Sequence, residues 1–223
     1  MPGIASHGEI IPSDTNLTIN AAQLGNITLD HAEVQTSGAG NGQIFIRGRD
    51  LTLQSGKITN TVNGAQGGGL IDIQARNILL TGGVTDARIA SETTSSGRGG
   101  EIQIIADNLE IAGGGISTSV YNIGRGGNII VRVKDKLNLH DPNPELVKFN
   151  SIYSDLYDAG DSGSIDVEAG QIEIHAIVPS AASSYGKGNS SGVRVKAYGD
   201  ILLDGTVYLG GWSHNASIGS NSF

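Results

Sequence analysis

The residues of this chain best suited to chemistry are five carboxylates close in sequence: Asp155, Asp158, Asp161, Asp166 and Glu168. Two carboxyl groups about 5–10 Å apart can cleave a glycosidic bond, one as acid and the other as base or nucleophile. Arg132 and Arg194, one repeat to either side, could steady the charge. The competing reading is a solvated corner, where Asp and Gly serve turn geometry. That reading is preferred, because a sugar-cleaving face would be expected to show His, Arg or Lys in quantity on adjacent repeats. The five histidines (His7, His31, His140, His175, His214) lack the close spacing of a local metal motif. His140 and His175 follow equivalent runs in two repeats, so stacking would bring them together, as a two-histidine metal site or as a plain surface pair. The GRGG segments at Gly97 and Gly124 are not phosphate loops, since no Lys-Ser/Thr follows and no helix is opened. No calcium-binding nonapeptide occurs, and no cofactor is called for.

Composition narrows the classes. Among 223 residues glycine numbers 34, about twice the usual share of roughly 7%. Aromatics make up only 4%, and the formal charge is −8. A nucleic-acid binder needs Lys and Arg in excess to displace counterions, and docking on an anionic membrane needs the same. Neither partner is expected. There are no cysteines, so disulfides and thiolate metal sites are excluded. The first residues, MPGIASHGEIIPSDTN, show neither a basic n-region nor an apolar h-region. No run approaches the roughly 18 apolar residues of a membrane span.

What must position the acids and histidines is a repeat. Alternating runs start at Leu17, Ile44, Ile71, Ile102, Ile129, Ile165 and Val193, separated by 27, 27, 31, 27, 36 and 28 residues. Residues i, i+2 and i+4 of a strand share a face. The inward trios are therefore Leu17/Ile19/Ala21, Ile44/Ile46/Gly48, Ile71/Ile73/Ala75, Ile102/Ile104/Ala106, Ile129/Val131/Val133, Ile165/Val167/Ala169 and Val193/Val195/Ala197. The third place is small in all but one. The residues between are mostly polar, as on a half-buried strand.

A second run follows a short corner, as in Leu51-x-Leu53, Leu109-x-Ile111 and Ile172-x-Ile174. It is usually preceded by Asn or Asp, which suit a tight corner and could bond one another along a stack. A third run carries an inward polar position: Thr36, Asn60, Ser91, Thr118 and Ser154. Such a column is tolerable only if its groups bond above and below. The coil that begins at Ile165 shows no clear third run, and Val207-x-Leu209 is a weak one. Outward Thr59, Thr61, Ser117 and Ser119 resemble an ice-binding hydroxyl array, broken at Gln35, Ala90 and Tyr153.

These readings combine into an all-β right-handed parallel β-helix, a solenoid of about seven coils of roughly 27 residues with three short strands each. The return path of each coil serves as its crossover, and the hand follows the bias of parallel crossovers. Residues 1–16 form an N-terminal extension and 17–209 the solenoid, with insertions near 81–88, 140–150 and 177–191. Residues 210–223 read as an irregular tail without an evident cap, so unpaired strand edges are expected at both ends.

The segments GRGGEIQIIADNLEIAGGGISTS and GRGGNIIVRVKDKLNL resemble the repeat shaft of filamentous-haemagglutinin-like exoproteins, above all the long cyanobacterial ones. The similarity spans Leu17 to Leu209 and is clearest from Gly67 to Val133. It implies a right-handed β-helix, export through an outer-membrane transporter of the two-partner type, and service as an adhesin shaft or surface fibre, whose lateral surface would be offered to glycans, cells or matrix. The secretion module's NPNL and NPNG motifs have only NPEL (Asn143 to Leu146) as a counterpart here, so that role is not carried over. No catalytic residue transfers. The expected protein is a non-enzymatic segment, secreted or at the cell surface, joined to neighbouring coils of a longer parent or to itself end to end. The rival is a polysaccharide-acting β-helix, a lyase or glycoside hydrolase, using Asp155, Asp158, Asp161 and Asp166.

Overall fold

The computed structural model describes residues 8–12, 17–21, 23–40, 42–82, 85–140, 150–175, 179–184, 187–209 and 212–222. They form a parallel β-solenoid of about six turns, with no helix among them. One sheet holds the long strands Gln43–Gln54, Leu70–Thr81, Glu101–Ala112, Ile129–His140 and Ile165–His175. Ile27–Asp30 edges it on one side, and Val193–Ala197 and Ile201–Asp204 on the other. A second sheet stacks Glu33–Gly38, Lys57–Val62, Ala87–Thr93, Gly114–Val120, Ser151–Leu156, Pro179–Ser184 and Ser217–Ser222. A small corner sheet holds Gly124–Arg125, Ala159–Asp161 and Lys187–Asn189.

The six inward trios from Ile44 onward stack as read. Ile71, Ile102, Ile129 and Ile165 are in register and almost wholly buried, as are Ile73, Ile104, Val131 and Val167. Each such side chain contributes about 1.5–3 kcal/mol through burial. The first and second runs differ from expectation: they are one continuous bent strand, not two strands parted by a corner. Two consecutive residues, Arg76–Asn77 in one coil and Asp107–Asn108 in the next, stand on the solvent side. This break in alternation takes the bend, and the ladder shifts register there between Val133 and Lys136. The amide stack at the bend is present: Asn108 Nδ2 donates to Asn77 Oδ1 (3.0 Å), and Asn77 Nδ2 to Asp50 Oδ1 (2.7 Å).

Both ends depart from the repeat. Leu17–Ala21, read as the first coil's opening strand, pairs antiparallel with Gly8–Pro12. This accounts for about six turns where seven were expected. The missing third run of the coil at Ile165 is Pro179–Ser184. Thr206–Leu209 is not a third run. It pairs antiparallel with Trp212–Asn215, and the tail returns as Ser217–Ser222 to complete the second sheet. The last long-sheet coil is bare: Ile201 and Leu203, aligned with buried Ile172 and Ile174, are 47% and 44% exposed.

Opposite the polar column runs a glycine column: Gly42, Gly69, Gly100, Gly127 and Gly163. A Cβ at Gly69, Gly127 or Gly163 would overlap the carbonyl oxygen of the glycine one coil before, and at Gly100 it would press on Ser91 Oγ. The polar column bonds at its two ends. Asn60 Nδ2 donates to Thr36 Oγ1 (3.0 Å), and Thr118 Oγ1 to Ser154 Oγ (2.9 Å), which also accepts from the Gly163 amide (2.8 Å). Between them Ser91 Oγ has no hydrogen-bond partner. Buried Asn150, which sequence reasoning passed over, fastens the longest coil by accepting from the amides of Gly113 and Gly114.

Gly127→Ala should cost about 3 kcal/mol or more, because backbone rather than a flexible side chain must give way. Gly67→Ala, with open space around the new methyl, should be neutral within about 0.5 kcal/mol. Urea midpoints of the two variants measure the contrast.

Candidate functional surfaces

The acidic residues do not converge on one face. Asp155 lies on the second sheet, Asp161 on the corner sheet, Asp166 and Glu168 on the long sheet, and Asp158 in the turn between. Most are engaged by cations of adjacent coils. Asp166 receives Arg132 Nη1 and Nη2 (3.2 and 3.0 Å) and Arg194 Nη2 (2.7 Å), and Arg194 also reaches Glu168 (2.9 Å). Burial raises the Asp166 carboxyl, but the hydrogen bonds and charges of Arg194 and Arg132 outweigh it and hold it below its ordinary value. Asp161 accepts from Arg125 Nε and Nη2, both at 3.2 Å. The same pattern joins Arg47 to Asp72 at 2.5 Å and Lys136 to Glu173 at 2.6 Å. The two flanking arginines noted in the sequence thus meet the acids, as the parts of a charge ladder.

Asp155 is different. Burial pushes its carboxyl up to about 6, against a hydrogen bond from Tyr157 Oη (3.3 Å) that works the other way. Around it on three consecutive coils stand Arg88, Glu92, Ser117, Ser119, Tyr121, Tyr153 and Tyr157. Arg88 Nη2 pairs with Glu92 (3.0 Å) and donates to Ser117 Oγ (3.3 Å). The rings of Tyr121 and Tyr157 stack with centroids 5.0 Å apart. Sequence reasoning missed this patch, although tyrosine recurs just after the third run in both coils. Ser117, Ser119 and Ala90 are buried although they point away from the core. Of the broken hydroxyl row on this sheet, Ser117 and Ser119 are thus withdrawn from solvent, while Thr59 and Thr61 are half-buried.

His140 and His175 do align in register. Each meets carboxylates instead: His140 Nε2 lies 2.8 Å from Glu110, and His175 lies 3.3 Å from Glu173 and 3.9 Å from Asp204. Among the described residues no group of three or more His, Asp or Glu side chains is placed to hold a metal ion.

An open groove of about 590 Å³ follows the bend of the long strands, with lining residues from Leu24 to Tyr198. The third residues of four trios, the small Gly48, Ala75 and Ala106 and the larger Val133, lie along it. No helix among the described residues is long and apolar enough to cross a membrane. No family model, no curated protein and no solved structure matches this chain.

The Asp155 carboxyl binds its proton more tightly when folded, near 6 against an ordinary 3.8. Stability from this group is therefore present below pH 4 and is lost as pH rises toward 6. Asp155→Asn should raise stability at pH 7 by about 1 kcal/mol, the full shift being reduced by partial exposure, and should flatten the profile between pH 4 and 6. Denaturant unfolding at pH 4.5 and 7 measures both effects.

Proposed function

We propose that this solenoid is a non-enzymatic structural and adhesive rod, a segment of a secreted or surface-exposed bacterial protein of the filamentous-haemagglutinin-like kind. The observation that carries the reading is the use made of the outer-face acids. Asp72, Asp161, Asp166, Glu168 and Glu173 each pair with a cation of a neighbouring coil. They serve as lateral staples along an apolar stack, a construction suited to holding other parts at a distance. Exported rods of this type would reach the surface through an outer-membrane transporter and meet surface glycans with their flanks. The bare coil at Ile201–Asp204 supports end-to-end contact, either with further coils of a longer parent or with a second copy, because an unpaired edge with aligned apolar side chains is satisfied by another strand.

A rival reading, a polysaccharide lyase or glycoside hydrolase, draws on one observation. A half-buried carboxyl near 6 beside tyrosines and a guanidinium is what a general acid requires. A panel of acidic and neutral polysaccharides separates the two. The rod reading expects no product release by wild type, Asp155→Asn or Asp166→Asn. It also expects Asp166→Asn to lower stability by about 1 kcal/mol through lost ion pairs. Product release by wild type that Asp155→Asn abolishes would establish the enzyme instead.

A further inference from the structure

We propose that the groove along the bend of the long strands binds a single linear acidic glycan lying parallel to the solenoid axis. This rests on the reading of the rod as a surface that contacts glycans, and assigns the place and the class of glycan. The groove crosses successive coils, so from the row of Arg47 to that of Glu168 it is roughly 20 Å long at the parallel strand spacing. Its volume of about 590 Å³ over that length makes a narrow trough. Gly48, Ala75 and Ala106 carry no bulk that would block it.

The side chains that line the trough are richer in cations than the chain as a whole. The protein carries −8 overall, yet the lining includes four cations, Arg47, Arg76, Arg132 and Lys134, against Asp107 and Glu168. Arg47 and Arg132 are fixed in place by Asp72 and Asp166 and by backbone carbonyls. Arg76 and Lys134 are loosely held: their side chains are 68% and 71% exposed, and their carboxylate contacts stretch to 3.9 and 4.0 Å. Two reachable cations beside fixed guanidinium groups select an anionic ligand. Tyr198, 70% exposed, offers a ring at one end.

The form of the trough narrows the ligand further. A single-stranded nucleic acid is held by rows of aromatic side chains, and among the described residues Tyr198 is the one aromatic residue in the lining. An extended peptide binds a free sheet edge, whereas the strands along this groove are paired to neighbours on both sides through their middle coils. A chain of uronate sugars needs neither feature. It needs spaced cations, planar amide or guanidinium groups such as Gln74 and Arg132, and a shallow floor.

Isothermal titration of the intact chain with oligogalacturonate, a neutral cello-oligosaccharide and a single-stranded oligonucleotide tests the proposal. Oligogalacturonate should bind, more weakly as salt rises, and Arg76→Gln/Lys134→Gln should reduce its affinity about tenfold or more. Lys57→Gln, on the other sheet, should leave it unchanged. Three results would overturn the groove: no binding of oligogalacturonate, equal or tighter binding of either other probe, or unchanged affinity in the double variant. Binding that survives the double variant would leave the adhesive reading standing without this site. Breakdown of the bound oligogalacturonate would overturn the non-enzymatic reading while leaving the groove in place.

Discussion

Every interior coil of this chain depends on the coils before and after it for its backbone hydrogen bonds, and that dependence fixes how closely coils must approach. At the strand spacing of about 4.8 Å there is no room for a side chain where one coil's corner lies on the next. The glycine column from Gly42 to Gly163 answers this constraint directly. Because the corners stack without offset, the apolar columns stay aligned, and because those align, acids and bases of like position meet across coils. The ion pairs on the outer face are thus a consequence of register. Moving one corner glycine would displace hydrogen bonds, core and charge ladder together.

The core was readable because it obeys a period. Ile71, Ile102, Ile129 and Ile165 recur with enough regularity that their shared column follows from alternation alone. The bend between runs was not readable as a bend. The residue pair Asp107–Asn108 has the composition of a turn, and only the ladder of the neighbouring coils keeps such a pair inside a strand. The two ends escaped for a related reason. Leu17–Ala21 has the alternation of a coil strand, but alternation does not distinguish a parallel neighbour from an antiparallel one. Ser217–Ser222 is a strand because Pro179–Ser184 lies beside it, and its own small polar residues give little sign of that.

The surfaces show the same division. The meeting of Asp166 with Arg132 and Arg194 follows from the repeat alone. The dispersal of Asp155, Asp161 and Asp166 over three sheets does not, since residues near in sequence at a corner point in different directions once the chain turns. The Tyr121–Tyr157 stack and the groove at the bend belong to the third dimension: each joins residues from separate coils whose own segments are unremarkable. The small third residues Gly48, Ala75 and Ala106 were visible in the sequence, but their place along an external groove appears only with the bend in place.

The two ends of the stack are unlike. At one, Ile44 and Ile46 are nearly covered and Leu29 is buried. At the other, Ile201 and Leu203 face water from positions whose equivalents one coil earlier belong to the core. A stack of this kind has a direction. The coil at Ile201–Asp204 buries less apolar surface than the coils before it, so it has the least to lose on local opening. Its exposed isoleucine and leucine nonetheless keep the register of the finished coils, each standing level with a buried counterpart in Ile172 or Ile174.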